Sequence, residues 1–147
     1  MNTLLNRDLA LKIITSPLII LWVYTGGSKL MDFPDFKNQL HLQHFSETTA
    51  KILTIALPVS ELLTAVLLAR KYQKPGLKIS LILLGIFTLY IILILSGYYI
   101  KVPCSCGGVL KFLGWRMHLL FNIFFLTINT LALYLYTKKE RRQGKSD

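Results

Sequence analysis

The sequence predicts an all-α integral membrane protein, a four-helix bundle, on three observations. Hydrophobic residues make up 53% of the 147 residues, and the mean hydropathy of +0.51 is too high for a soluble domain. The apolar residues fall into four runs of about 20 residues, which is the length a helix needs to cross a bilayer. Basic residues cluster beside these runs. We therefore expect one membrane domain over residues 1–147, with a basic cytoplasmic tail at 137–147.

The first span is predicted over residues 9–30. Pro17 lies inside it, and proline is tolerated in membrane helices because neighbouring groups satisfy the freed backbone. The small residues at 25–28 would let another helix approach closely. Lys29 lies near the end of the span, so its ammonium group is expected to reach the lipid headgroups.

A polar loop follows the first span. Residues 34–42 are predicted to form a short interfacial helix at the outer face, with Phe36 and Leu40 facing the lipid. His41 and His44 stand three residues apart, a spacing that occurs in metal sites. Two histidines without further ligands are more typical of exposed polar side chains, so no metal site is assigned here.

The second span, residues 49–69, carries Glu61 near its middle. A charged acid at this depth costs about 2.5–3.5 kcal/mol on insertion scales. Lys12 and Lys29 are expected near opposite membrane faces, on the order of 10–15 Å away along the membrane normal. Glu61 is therefore predicted to be protonated or hydrogen-bonded by nearby groups. A functional role and a structural bond between helices are both open for it.

The third and fourth spans are predicted over residues 77–100 and 117–136. The third is the most uniformly apolar of the four. In the fourth, His118, Asn122 and Asn129 fall within about 40° of one another on a helical wheel at 100° per residue. Such a polar stripe in an apolar helix is expected to face the bundle interior.

The distribution of basic residues predicts the orientation. Eleven of the 17 Lys and Arg residues lie at the N-terminus, in the second loop and in the tail, and six lie at the first and third loops. The larger share belongs in the cytoplasm. Both termini are therefore predicted inside, in a bacterial inner membrane, with the third loop on the oxidising outer side. The net charge of +10 is explained by lipid and topology, so nucleic acid is not an expected partner.

The third loop holds both cysteines of the chain, Cys104 and Cys106. A disulfide across one residue closes a small strained ring, and strained disulfides are easily reduced. It removes almost no chain entropy, so it is a poor structural device. Gly107 and Gly108 leave the sulfurs accessible. His118, at the outer end of the fourth span, is close enough in sequence to lower a thiol pKa, which makes these three the candidate catalytic residues.

Three functions remain open from these residues. The first is a thiol–disulfide relay with a thioredoxin-like or disulfide-rich extracytoplasmic partner. Since the chain has only two cysteines, this relay needs a quinone, a partner protein or both to pass electrons on. The second is an accessory subunit in which the cysteines and His118 hold Cu(I) or Zn. The third is a small-solute carrier with Glu61, Asn122 and Asn129 as its polar path. A fortuitous pair of thiols in a turn is the plainest alternative.

The chain resembles the MauE group of the DoxX-like membrane proteins in three pieces spread over most of its length. These are Gly27-Ser28-Lys29-Leu30-Met31-Asp32 with Phe36, then Leu57-Pro58-Val59-Ser60-Glu61-Leu62, and Pro103-Cys104-Ser105-Cys106-Gly107-Gly108 followed by Trp115 and Asn122. The resemblance implies four membrane helices. It also implies a role in the maturation of methylamine dehydrogenase, whose small subunit is rich in disulfides.

Overall fold

The computed structural model describes residues 2–43, 45–70, 73–98 and 114–143, and the regular structure in these residues is helical. Four of the helices are long and apolar enough to cross a membrane, so the chain is a multi-pass membrane protein of the predicted class. Three of the four predicted spans lie within α1, α3 and α5. The helices are α1 (Asn2–Met31), α2 (Phe33–His41), α3 (Glu47–Ala69), α4 (Gln73–Leu95) and α5 (Trp115–Gln143).

The four long helices form a ring in the order α1, α3, α4, α5. Helix α1 packs against α3 and α5, and α4 packs against the same two helices from the other side. Each helix runs antiparallel to the next, as in other up-and-down bundles. One bond crosses the centre of the ring: the indole Nε1 of Trp22 on α1 donates to Ser80 Oγ on α4 at 2.8 Å.

The bundle exposes many large apolar side chains and buries several polar ones beside its apolar core, unlike a soluble protein. Large apolar residues such as Ile20, Ile55 and Leu120 are exposed on the outer surface. The interior holds polar and charged side chains, including Lys29 and Glu61. This distribution fits a bundle whose surroundings are lipid, where polar groups must find partners inside the protein.

Helix α4 ends five residues before the predicted end of the third span. Gly97 adopts a positive φ of 81°, its N–H donates to Ile94 O at 3.1 Å, and the N–H of Tyr98 donates to Leu93 O at 3.3 Å. This pair of bonds around a left-handed glycine is the Schellman motif, which stops a helix. Apolar composition alone therefore overestimates the length of this helix, which ends at Leu95.

The short helix α2 faces the bundle and not the lipid. Phe36 and Leu40 are each 2% exposed and pack against Ala50 of α3. The prediction that these two side chains contact lipid is therefore wrong. Their spacing of four residues does give α2 one apolar face. An amphipathic pattern indicates such a face but does not distinguish lipid from protein as its partner.

The position of α2 follows from the unequal reach of α1 and α3. A Cβ on Gly26 would lie 2.9 Å from Leu62 Cγ and 3.3 Å from Glu61 Cβ, so these positions are level. The end of α1 at Met31 is then level with about Ala56, and α3 continues for roughly nine residues, or ~13 Å, beyond it. Helix α2 packs on this projecting part of α3 and covers the end of α1.

Candidate functional site

A cavity of about 320 Å³ lies inside the bundle, toward the end where α2 packs, here called the α2 end. All five helices contribute to its walls, which are formed mainly by Leu, Ile and Phe side chains. Trp22 and Trp115 also line it, and these are the two tryptophans of the chain. A volume in this range, with apolar walls and a few polar groups, is typical of a small-molecule site.

A buried ion pair lies in the cavity wall. Lys29 Nζ is 2.8 Å from Glu61 Oε1 and 3.0 Å from Oε2, and it also donates to the carbonyl oxygen of Thr25 at 3.3 Å. The two residues are 3% and 1% exposed. The ammonium group also lies 5.8 Å from the centre of the Phe36 ring on α2. Each charge is therefore neutralised inside the protein and covered by α2.

This pair corrects two predictions, that Lys29 reaches the headgroups and that Glu61 has no basic partner. Both took the end of the first span as the membrane surface. The structure shows that α2 covers this end. Glu61 is level with Gly26, so Lys29 lies only three residues, or ~4.5 Å, further along its helix. A lysine side chain spans that distance easily.

His118 and Asn122 lie one turn apart on α5 and both line the cavity. His118 is 3% exposed, and its ring packs edge-to-face against Phe121 with centroids 6.3 Å apart. Asn122 is 4% exposed, and its Nδ2 has no hydrogen-bond partner among the described residues. Together with Glu61, two of the three residues of the α5 polar stripe therefore meet at one cavity.

Asn129, the third residue of the stripe, lies outside the cavity. Its Nδ2 donates to the carbonyl oxygen of Leu77 on α4 at 2.9 Å, and the side chain is fully buried. Apolar side chains of the core, including Leu18 and Leu68, fill the interior at this end. Within the described residues, Asn129 is therefore separated from the cavity that Glu61 and Asn122 line.

Two polar side chains that the sequence did not single out close the cavity at the α2 end. Tyr90 Oη on α4 donates a hydrogen bond to Gln43 Oε1, just after α2. The Tyr90 ring also stacks on Phe45 with centroids 5.9 Å apart. Gln43 stands in a polar loop, where its residue type gives no sign of burial. Tyr90 lies in an apolar span, and its hydroxyl is the signal that indicates an internal partner.

Cys104 and Cys106 lie outside the described residues, as does His44. The nearest described residues on either side are Tyr98, in the turn that follows α4, and Gly114, just before α5, and both lie at the α2 end. In the described ranges there is no cluster of three or more His, Cys, Asp or Glu residues suited to a metal ion. The role of the cysteine pair remains a prediction.

The comparison with known families adds one finding to this geometry. A family model described as methylamine utilisation protein MauE matches residues 7–136. Comparisons with curated proteins and with solved structures give no match. The matched range includes all of α2, α3 and α4, most of α1 and α5, and both cysteines. The chain therefore belongs to the MauE family of membrane proteins.

Proposed function

We propose that this chain is a membrane thiol–disulfide factor in which Cys104 and Cys106 exchange disulfides with an extracytoplasmic protein. The partner is a thioredoxin-like carrier or a disulfide-rich protein that matures outside the cytoplasm. One observation supports this above the others: the helix ends that flank the cysteine segment lie at the same end of the bundle as the cavity that His118 and Trp115 line. The family's link to methylamine utilisation supports a maturation role in that process.

The reach of the chain supports a meeting of the cysteines and His118. Cys106 precedes Gly114 by eight residues. At most about 3.3–3.6 Å per residue, such a segment can extend across the whole end of the bundle or fold back over the cavity. The segment is therefore long enough for a meeting of the two sulfurs with the rim of the cavity.

The charges at the start of α5 favour a thiolate nearby. The N-terminus of a helix carries a partial positive charge, and no acidic residue stands in the first turn of α5. Arg116, in the same turn, is exposed. A thiol beside these groups has its deprotonated form stabilised, and the thiolate is the form that attacks disulfides.

The exchange itself has two steps. A cysteine thiolate attacks one sulfur of the partner's disulfide, forms a mixed disulfide and releases the partner's other sulfur as a thiolate. The second cysteine of the pair then attacks the mixed disulfide. The partner leaves as a dithiol, and Cys104 and Cys106 are joined. The reverse sequence oxidises the partner, with the same two electrons moving the other way.

The orientation needed for this function has its own test. Because Lys29 is buried in an ion pair, only five basic residues remain for the α2 end, against eleven on the other side. We expect a reporter fused after Asp147 to be cytoplasmic. A thiol reagent that does not cross membranes should label Cys104 and Cys106 in intact cells. Labelling only after permeabilisation would mean that the cysteines face the cytoplasm and not the oxidising outer side, which would contradict the proposed function.

Trapping in the native cells tests the function directly. We expect Cys104→Ser or Cys106→Ser to accumulate a mixed disulfide with a partner, because the remaining thiolate attacks but no second thiol resolves the product. The adduct should disappear on reduction and be absent from the matched double serine variant. Absence of an adduct in both single variants, with stoichiometric Cu(I) or Zn retained by the purified protein, would instead identify a metal-holding subunit.

A further inference from the structure

We infer that the cavity binds a quinone, a flat apolar molecule with two carbonyl oxygens, and that this quinone takes electrons from the Cys104–Cys106 pair. The electron transfer rests on the proposed function, whereas the binding site rests on the cavity alone. The cavity walls, one unpartnered donor, the lipid-facing wall and the electron count each support the inference.

The walls suit a flat ring. Aromatic side chains from three helices line the cavity: Trp22 from α1, Phe87 and Tyr90 from α4, and Trp115 and Phe121 from α5. Aromatic faces pack well on planar π-systems. The volume of about 320 Å³ is at the lower end of the range for ligand sites, which suits a single ring.

The polar groups suit a carbonyl. Asn122 is 4% exposed, and its Nδ2 has no partner among the described residues. A buried donor in that state is destabilising, and a ligand carbonyl would satisfy it. The Glu61 carboxylate lines the same cavity and accepts hydrogen bonds, so the hydroxyl of a reduced ligand also has an acceptor. A hydrocarbon chain of a lipid has no hydrogen-bond acceptor for Asn122 Nδ2.

Ile86 on α4 connects the cavity with the surroundings of the bundle. Its side chain lines the cavity and is also 57% exposed. A ligand dissolved in the bilayer can therefore approach the cavity beside Ile86. An apolar tail attached to the ring can remain in the lipid beside Ile86.

The electron count calls for such an acceptor. When the chain oxidises a partner protein, Cys104 and Cys106 are left as a dithiol. These are the two cysteines of the chain, so no second cysteine pair can receive their electrons. A quinone balances the step. Two S–H bonds break, one S–S bond forms, and two electrons and two protons convert the two quinone carbonyls into hydroxyls.

Intrinsic fluorescence of the purified full-length protein tests the binding, because both tryptophans line the cavity. We expect decylubiquinone to quench this fluorescence saturably, and decanol, which matches only the tail, to have no such effect. Asn122→Leu should weaken binding about threefold to tenfold, the value of one lost hydrogen bond. The matched variant Asn129→Leu lies outside the cavity and should bind as the unaltered protein does. Non-saturable quenching, or equal affinity in Asn122→Leu, would overturn the site.

A second set of measurements separates this inference from the proposed function. The Cys104→Ser/Cys106→Ser double variant should bind decylubiquinone normally, because the site does not need the thiols. In the reduced wild-type protein, one quinol should form for each Cys104–Cys106 dithiol that is oxidised and can therefore no longer be alkylated. Disulfide exchange with glutathione but no quinone binding would overturn the inference and leave the proposed function in place. Quinone binding with no thiol oxidation would overturn the electron transfer.

Discussion

The two buried asparagines of α5, one toward each end of the bundle, have different surroundings, although the same helices form both ends. At the end opposite α2, Asn129 donates to the Leu77 carbonyl and Gly76 sits close against α3, where an added Cβ would lie 3.0 Å from Leu68 N. At the α2 end, Asn122 lies beside a cavity, and its Nδ2 has no partner in the described part of the chain. In these residues each asparagine has one such polar atom, Oδ1 in Asn129 and Nδ2 in Asn122, but Asn129 links α5 to α4 whereas Asn122 borders a space.

The difference has a physical cause. In a membrane, helices associate through close backbone approach and hydrogen bonds, because lipid supplies no hydrophobic drive between them. Gly76 brings α3 and α4 together at one end. Toward the α2 end, Leu57 of α3 and Ile86 of α4 both line the cavity. A gap with a few polar groups in its apolar walls is where we expect function, and this contrast can be tested by mutation.

The largest expected effect is at the ion pair. Lys29→Met should lower the free energy of unfolding by about 3–5 kcal/mol, because it leaves Glu61 as an unpaired buried charge. Denaturant unfolding in detergent would measure this loss. Glu61→Gln should also destabilise the protein, since Lys29 then loses its partner.

The control for the ion pair is its apolar replacement. The double variant Lys29→Met/Glu61→Leu leaves no unpaired charge, so it should regain most of the stability lost in either single variant. A double variant as unstable as the sum of the two single ones would mean that the two residues act independently, in conflict with their 2.8 Å contact.

A smaller effect is expected where α1 meets α3. Gly26→Ala should cost about 1–3 kcal/mol, because its Cβ would lie 2.9 Å from Leu62 Cγ and push the helices apart. The neighbouring Gly27 has no atom within 4 Å of an added Cβ. Gly27→Ala should therefore leave stability unchanged or raise it by about 0.5–1 kcal/mol, as for alanine in a helix interior. Equal losses of stability in both variants would contradict the close approach of α1 and α3 at Gly26.

The smallest effects compare the two asparagines of α5. Asn129→Leu should cost about 0.6 kcal/mol and at most about 1.7 kcal/mol, the range for a hydrogen bond between membrane helices. Asn122→Leu should leave thermal stability equal or higher, because it removes a buried donor without a partner in the described residues. If Asn122→Leu is the more damaging of the two, Asn122 is a packing residue and the two ends of the bundle do not differ.

The sequence predicts the helices and the inward polar stripe because these depend on local pattern. Runs of apolar residues mark the spans, and the spacing of His118, Asn122 and Asn129 places them on one face, which is buried in the structure. The end of α4 also had a local signal in Gly97. The apolar residues that continue past this glycine concealed it.

The ion pair and the cavity could not be predicted, because they depend on which helices meet and at what height. The end of its own span does not give the depth of Lys29, which is set by α2 covering that end and by the contact of Gly26 with α3. The different surroundings of Asn122 and Asn129 likewise depend on the neighbouring helix: α4 supplies the Leu77 carbonyl beside Asn129, whereas Asn122 borders the cavity. A helical wheel gives a direction around one helix and contains no information about its neighbours.

A redox titration of the Cys104–Cys106 pair in the purified protein tests the central claim most directly. The protein would be equilibrated with glutathione buffers and the fraction oxidised read by the mass shift on alkylation. We expect a reversible disulfide with a reduction potential between about −120 and −270 mV, the range of dithiols that exchange with partners. A potential below about −300 mV, which marks structural disulfides, or no disulfide at all, would contradict the proposed thiol–disulfide function.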